Sequence, residues 1–203
     1  MLTRIAVFVS GGGTNLQALI DAQNMDVLRS GRIQLVVSSN PAAFALERAA
    51  KAGIPSRTVS RRDCASQEEF EEKITDALDE FEIDMIVLAG FMSILSESFT
   101  KKYPKRIINV HPSLIPSFCG KGMYGLRVHK AALDYGVTVT GATVHYVNEI
   151  PDGGEIILQR AVTVRRGDTP ETLQKRVMEQ AEWRILPRAA EIVAKQIAKE
   201  KKA

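Results

Sequence analysis

Chemistry is concentrated in Asn109-Val110-His111-Pro112-Ser113-Leu114-Ile115-Pro116. Asn109 and His111 are two residues apart at the end of an apolar run, so on a strand both side chains point to one face. An amide donor beside a titratable imidazole suits a developing oxyanion next to a nitrogen that must lose a proton. Asp152, in Pro151-Asp152-Gly153-Gly154, is either turn chemistry or a third member of this group. As a third member, its carboxylate is expected to raise the imidazole pKa above the ordinary 6.5 or so. Ser10-Gly11-Gly12-Gly13-Thr14-Asn15 is the other candidate site, an anion-binding turn made of backbone N–H groups at the start of a helix.

The elements that must hold these residues alternate. Apolar runs at Arg4–Val9, Ile33–Ser38, Ser56–Val59, Met85–Ala89 and Ile107–Val110 predict strands. Amphipathic stretches at Thr14–Leu28, Ala42–Ala52, Ser66–Phe81 and Ser96–Tyr103 predict helices between them. That alternation implies an α/β, doubly wound, mostly parallel sheet covered on both faces. After the loop Pro112–Gly125 and a short helix at Val128–Tyr135, two long β-branched runs follow, Val137–Val147 and Glu155–Val164. Their short connection predicts an antiparallel C-terminal pair. Thr169-Pro170-Glu171-Thr172 starts a final helix. No repeat or linker divides the chain, so residues 1–203 are expected to form one domain.

Several functions are excluded or disfavoured. With 27 Lys+Arg against 24 Asp+Glu, the net charge of +3 is too small to announce a nucleic-acid surface. Part of it sits in Lys199-Glu200-Lys201-Lys202, read as a solvated helix end. Cys64 and Cys119 form no C-x-x-C pair, and no signal peptide or membrane span is recognisable, which together predict a cytoplasmic protein. The glycine loop fails the dinucleotide fingerprint, because Leu16 takes the third glycine position and Ser38-Ser39-Asn40 offers no ribose-binding acid. Gly120-Lys121-Gly122 is not a Walker loop; a phosphate monoester is the expected ligand of the first turn, with Thr14 and Asn15 adding side-chain bonds. His111, His129 and His145 lack metal-ligand spacing. His145 reads as a sheet histidine and His129 as a solvent-facing helix residue.

The order and spacing of these segments, with Leu88-Ala-Gly-Phe-Met92, Thr143-Val-His-Tyr-Val147 and Gly167-Asp-Thr169, resemble the folate-dependent formyltransferases. The closest resemblance is to the phosphoribosylglycinamide formyltransferase family of purine synthesis, from Ile5 to about Pro187. It implies Asn109, His111 and Asp152 as catalytic residues, and Gly11, Gly12, Gly13, Thr14 and Asn15 around the phosphate, with Glu182 on the ribose. Met92, Ser93, Ile94 and Leu95, together with Asn148, Glu149, Ile150 and Pro151, would line the folate pocket. The implied reactants are small molecules: 10-formyltetrahydrofolate as co-substrate and phosphoribosylglycinamide. No metal, nicotinamide, ATP, nucleic acid or membrane is expected, and the protein is a monomer or homodimer.

The chain departs from that pattern in places. Ser93 stands where an Arg is usual, Gln67 near a common Arg or Lys, and Trp183 where His is frequent. The loop Ser117–Gly125 is longer than the common one and is either a lid or plain surface. Two relatives sharing the Asn-x-His and Asp, methionyl-tRNA formyltransferase and formyltetrahydrofolate deformylase, carry a further domain for which little chain remains here. A non-catalytic sensor of a phosphorylated metabolite would need the glycine loop but give no reason for the other three residues.

Overall fold

The computed structural model describes residues 1–201. The seven strands are β1 (Thr3–Val9), β2 (Gly31–Ser38), β3 (Ser56–Thr58), β4 (Met85–Leu88), β5 (Ile107–His111), β6 (Val139–Tyr146) and β7 (Ile156–Thr163). They form one sheet in the order β3-β2-β1-β4-β5-β6-β7. The first five are parallel, whereas β6 runs antiparallel to both β5 and β7. The expected antiparallel pair is therefore present, and the change of direction comes one strand earlier, at β5–β6.

Continuous apolar strands divide between two cores. Ile5, Val7 and Val9 of β1 face α1 (Thr14–Asn24), α2 (Phe44–Lys51), α6 (Pro170–Val177) and α7 (Trp183–Glu200), while Ala6 and Phe8 face α3 (Gln67–Glu80) and α4 (Glu97–Lys102). A register shift between Ile5 and Ala6 lets Ile33 and Val36 of β2 point to the same core despite their odd spacing. Burying both faces stabilises by about 25 cal/mol per Å² of apolar surface, so the strands have no need of a polar side.

The helix ends differ from expectation where polar capping decided them. α1 stops at Asn24, four residues short of Leu28, because the Val27 and Leu28 amides both turn back to the Ala22 carbonyl. α5 (Leu126–Tyr135) ends on Gly136 at φ 82, a left-handed cap suited to glycine. The expected single C-terminal helix is interrupted by a π turn, Met178–Glu182, which separates α6 from α7. α7 runs to Glu200, and Lys201 pairs with Asp84 at 2.6 Å at the opposite end of the sheet from the glycine loop. Lys202 of the expected solvated tail lies outside the described residues. Among the described residues no helix is long and apolar enough to cross a membrane.

Asp168 anchors the start of α6. Its carboxylate takes both Arg176 guanidinium nitrogens at 2.6 Å and the Arg165 amide at 2.7 Å, and Thr169 with Thr172 closes a capping box. The Arg176 bond holds the acid well below the usual carboxylate range. Asp168→Ala should cost about 2 kcal/mol in urea unfolding at pH 7. Because the folded acid titrates below the unfolded one, this stabilisation is present above about pH 4 and fades as pH falls. A variant as stable as the parent at pH 7 would count against the anchor.

Candidate active site

The parallel strands reverse their order of addition between β1 and β4, and at such a switch point the loops leaving the two strands part to form a crevice. From β1 comes Ser10–Gly13, and from β4 the segment through Met92–Leu95. Ser10 ties the two together. Its hydroxyl lies 2.5 Å from that of Ser39 and accepts the Met92 amide at 2.8 Å. Gly13, at φ 70, caps α1 and leans on α2 so closely that a Cβ would meet the Ala45 Cβ at 2.6 Å. Gly11 and Gly12 remain exposed, with the first-turn amides of α1 behind them.

Pleating sets the second group. Asn109 and His111 alternate with core residues Ile108 and Val110 and share the face of Ile107. The β5–β6 register then places His145 opposite Asn109 and Thr143 opposite His111. Thr143 accepts the Ile115 amide at 3.0 Å and donates to the Ser113 carbonyl at 2.7 Å, pinning the chain after Pro112. The connection from β6 to β7 folds back over this face and presents Asp152. Two features permit the fold-back: Asp152 itself adopts φ 57, and Gly154 passes the Tyr146 carbonyl where a Cβ would lie 1.8 Å from the oxygen.

The three expected catalytic residues thus meet, with a fourth between them. Asp152 Oδ2 lies 3.4 Å from His111 Nδ1 and accepts the Gly120 amide at 2.8 Å. Asp152 Oδ1 lies 3.5 Å from His145 Nε2. His145 Nδ1 sits 2.8 Å from the Tyr146 carbonyl, so that nitrogen carries the proton and Nε2 accepts from Asn109 Nδ2 at 3.3 Å. This fixes the Asn109 amide with its NH2 toward His145 and one N–H left over. His145 is the hydrogen-bonded sheet histidine expected, and it is buried between Asn109 and Asp152. Alternation within β6 put it on an inward face, but only the register shows which residue it faces.

Electrostatics correct one expectation. His111 titrates below, not above, the ordinary 6.5: burial disfavours the imidazolium and outweighs the pull of Asp152 and of the Phe118 carbonyl, with His145 also opposing charge. The ligand-free ring is neutral at pH 7, and its single N–H faces two acceptors, Asp152 and the Phe118 carbonyl 2.9 Å from Nε2. Asp152 stays anionic. Burial pushes its pKa up, but the nearby His111 and the Gly120 amide bring it below the usual value.

His129 is a second correction. It is not solvent-facing but fully buried on α5 beside Val128 and Ala132, because the helix turns that side toward the core. Neither ring nitrogen has a partner, and burial lowers its pKa to about 4.

Asn15 and Glu182 form a separate buried pair, Nδ2 to Oε2 at 2.7 Å. Glu182 rides on the π turn that the sequence did not reveal. Asn15 Oδ1 is buried without a partner. An oxygen is an acceptor and suits a sugar hydroxyl rather than the phosphate first expected for Asn15. Of the folate-pocket residues, Met92, Ile94 and Ile150 expose large apolar side chains, while Ser93, Leu95 and Asn148 are half-buried and Glu149 and Pro151 exposed. Gln67 holds the first segment through the Ile94 carbonyl at 3.0 Å. Among the described residues no cluster of His, Cys, Asp and Glu has metal-holding geometry.

The comparisons with known proteins give the class of a sheet with this strand order. Residues 3–190 match the formyl transferase family, and the chain is a member of it. It is 39% identical over 186 residues to the phosphoribosylglycinamide formyltransferase of Haemophilus influenzae, covering 92% of this chain and 84% of that protein. The human trifunctional purine biosynthetic protein adenosine-3 is 47% identical over 191 residues; they are 94% of this chain but only 18% of that much longer protein. The crystal structure of phosphoribosylglycinamide formyltransferase from Brucella melitensis superposes with a TM-score of 0.87 at 43% identity, covering 96% of each chain.

Burial raises the pKa of Glu182 to about 6, against a bond from Asn15 that lowers it. A folded pKa above the unfolded one means the group's stabilisation is full below about pH 4.5 and lost as pH rises through 6. Glu182→Gln should remove a loss of about 2 kcal/mol between pH 4.5 and 7, measured by urea midpoints of both proteins. Identical pH slopes would show that the acid titrates normally.

Proposed function

We propose that this chain transfers the formyl group of 10-formyltetrahydrofolate to the primary amine of 5-phosphoribosylglycinamide. The observation that carries this reading is Asp152 at 3.4 Å from His111, on the face that also bears Asn109. The substrate phosphate sits on the Gly11–Thr14 turn, met by unpaired amides and the positive end of α1. Its ribose hydroxyls meet the Asn15–Glu182 pair. The folate ring lies against Met92–Leu95 and Asn148–Pro151, where exposed Met92, Ile94 and Ile150 supply apolar surface.

The amine attacks the formyl carbon and negative charge grows on the carbonyl oxygen. The spare Asn109 N–H donates to that oxygen, joined by the His111 N–H that forms once the ring has taken up a proton. Asp152 pulls the ring toward its charged form, but burial prevails and favours a neutral start. The neutral ring takes the proton that the attacking amine sheds, becomes imidazolium beside the Asp152 carboxylate, and returns the proton to the folate nitrogen as the carbon–nitrogen bond breaks. For His111 to reach the substrate one of its two acceptors must give way. Phe118 belongs to the Ser117–Gly125 loop and is the detachable one, which makes that loop a lid in this scheme.

An oxyanion donor is typically worth ~3–4 kcal/mol, or about 10²–10³ in rate. His111→Ala should lower kcat by about that factor in an assay of folate product absorbance, with ribonucleotide affinity near normal; nearly full turnover would remove His111 from the mechanism. Asn15→Ala should chiefly raise KM for the ribonucleotide, and an unchanged KM would exclude Asn15 from its site. If the parent chain failed to transfer formyl to phosphoribosylglycinamide at all, the assignment itself would fall.

A further inference from the structure

Beside the glycine loop, and sharing only Thr14 with the site described above, a hollow of about 420 Å³ opens between α1 and α7. That size lies within the range of small-molecule sites. Three guanidiniums line it: Arg48, Arg184 and Arg188. Arg48 donates to the Gly12 carbonyl at 2.8 Å and to Gln17 at 3.1 Å, and Arg184 to the Glu179 carbonyl at 3.2 Å. Those partners are uncharged. Among the described residues none of the three arginines forms an ion pair, and Asp21 is the one acid in the lining. The hollow is therefore electropositive by about two charges, which matches the −1.5 to −2 of a phosphate monoester at neutral pH.

Two further features argue against a site for bare phosphate. The floor is apolar, with Ala18 on α1 and Pro187 on α7. The indole of Trp183 lines the same hollow, and its Nε1 is buried with no hydrogen-bond partner. That N–H is closed off from the hollow, so what the indole offers a ligand is its aromatic face. Asp21, in turn, can accept from an exocyclic amine.

We infer that this hollow binds a purine nucleoside monophosphate, phosphate on the arginines and base on the apolar floor, as a site distinct from the catalytic one. Trp183 is the only tryptophan in the chain, so its fluorescence reports the hollow directly. Titration with AMP should give a saturable change. Adenosine and inorganic phosphate should each bind about tenfold more weakly or worse, since each supplies half the contacts. Arg184→Gln and Arg188→Gln, both at exposed positions, should weaken AMP about tenfold each while leaving KM for the ribonucleotide unchanged. No saturable change up to roughly 5 mM AMP would overturn the proposal. So would phosphate binding as tightly as AMP, or a signal that survives both arginine changes and disappears in Asn15→Ala, which would place the nucleotide on the glycine loop.

Discussion

Pairing β5 with β6 in antiparallel register sets Asn109 across from His145 and His111 across from Thr143, and the geometry of the site follows from that. Each of these side chains would be costly to bury alone. Together they exchange hydrogen bonds: the Tyr146 carbonyl fixes the tautomer of His145, His145 fixes the amide of Asn109, and Thr143 fixes the turn that leaves His111. Asp152 then closes the group from above, its carboxylate reaching both imidazoles and the Gly120 amide. Such an arrangement is already aligned before substrate arrives, which is what stabilising a transient charge requires.

The opposing pulls on His111 are the most informative electrostatic feature. A carboxylate alone would make the ring a cation; burial alone would make it inert. With burial prevailing, the ring is neutral yet has an anion waiting beside it, the state in which an imidazole accepts and then releases a proton most readily near neutral pH. Glu182 shows the same physics with a single partner, and there burial moves the acid upward to about 6.

The two proposed sites sit on either side of one short turn. The glycine loop presents amides to the crevice, and Thr14 behind it faces the arginine-lined hollow between α1 and α7. Because α1 and α7 pack on the same core as the strands carrying the loop, a ligand in that hollow would bear on the helix that follows the glycine loop.

Local pattern was enough to read the strand–helix alternation, both buried faces, the Thr169 start of α6 and the Asn109-x-His111 pair, because periodicity and capping act within a few residues. It failed for His129, since a helix's phase relative to the core is set by what packs on it. It failed again for the sign of the His111 shift, because solvent exclusion is a property of the assembled site. The role of His145, the Glu182–Asn15 pair on a π turn, and the hollow beside Trp183 all join residues 36 to 167 positions apart or elements distant in the chain. Residue types and spacing determined which groups were available for chemistry. Strand register and burial, which exist only once the sheet has formed, decided which groups touch and which of them carry charge.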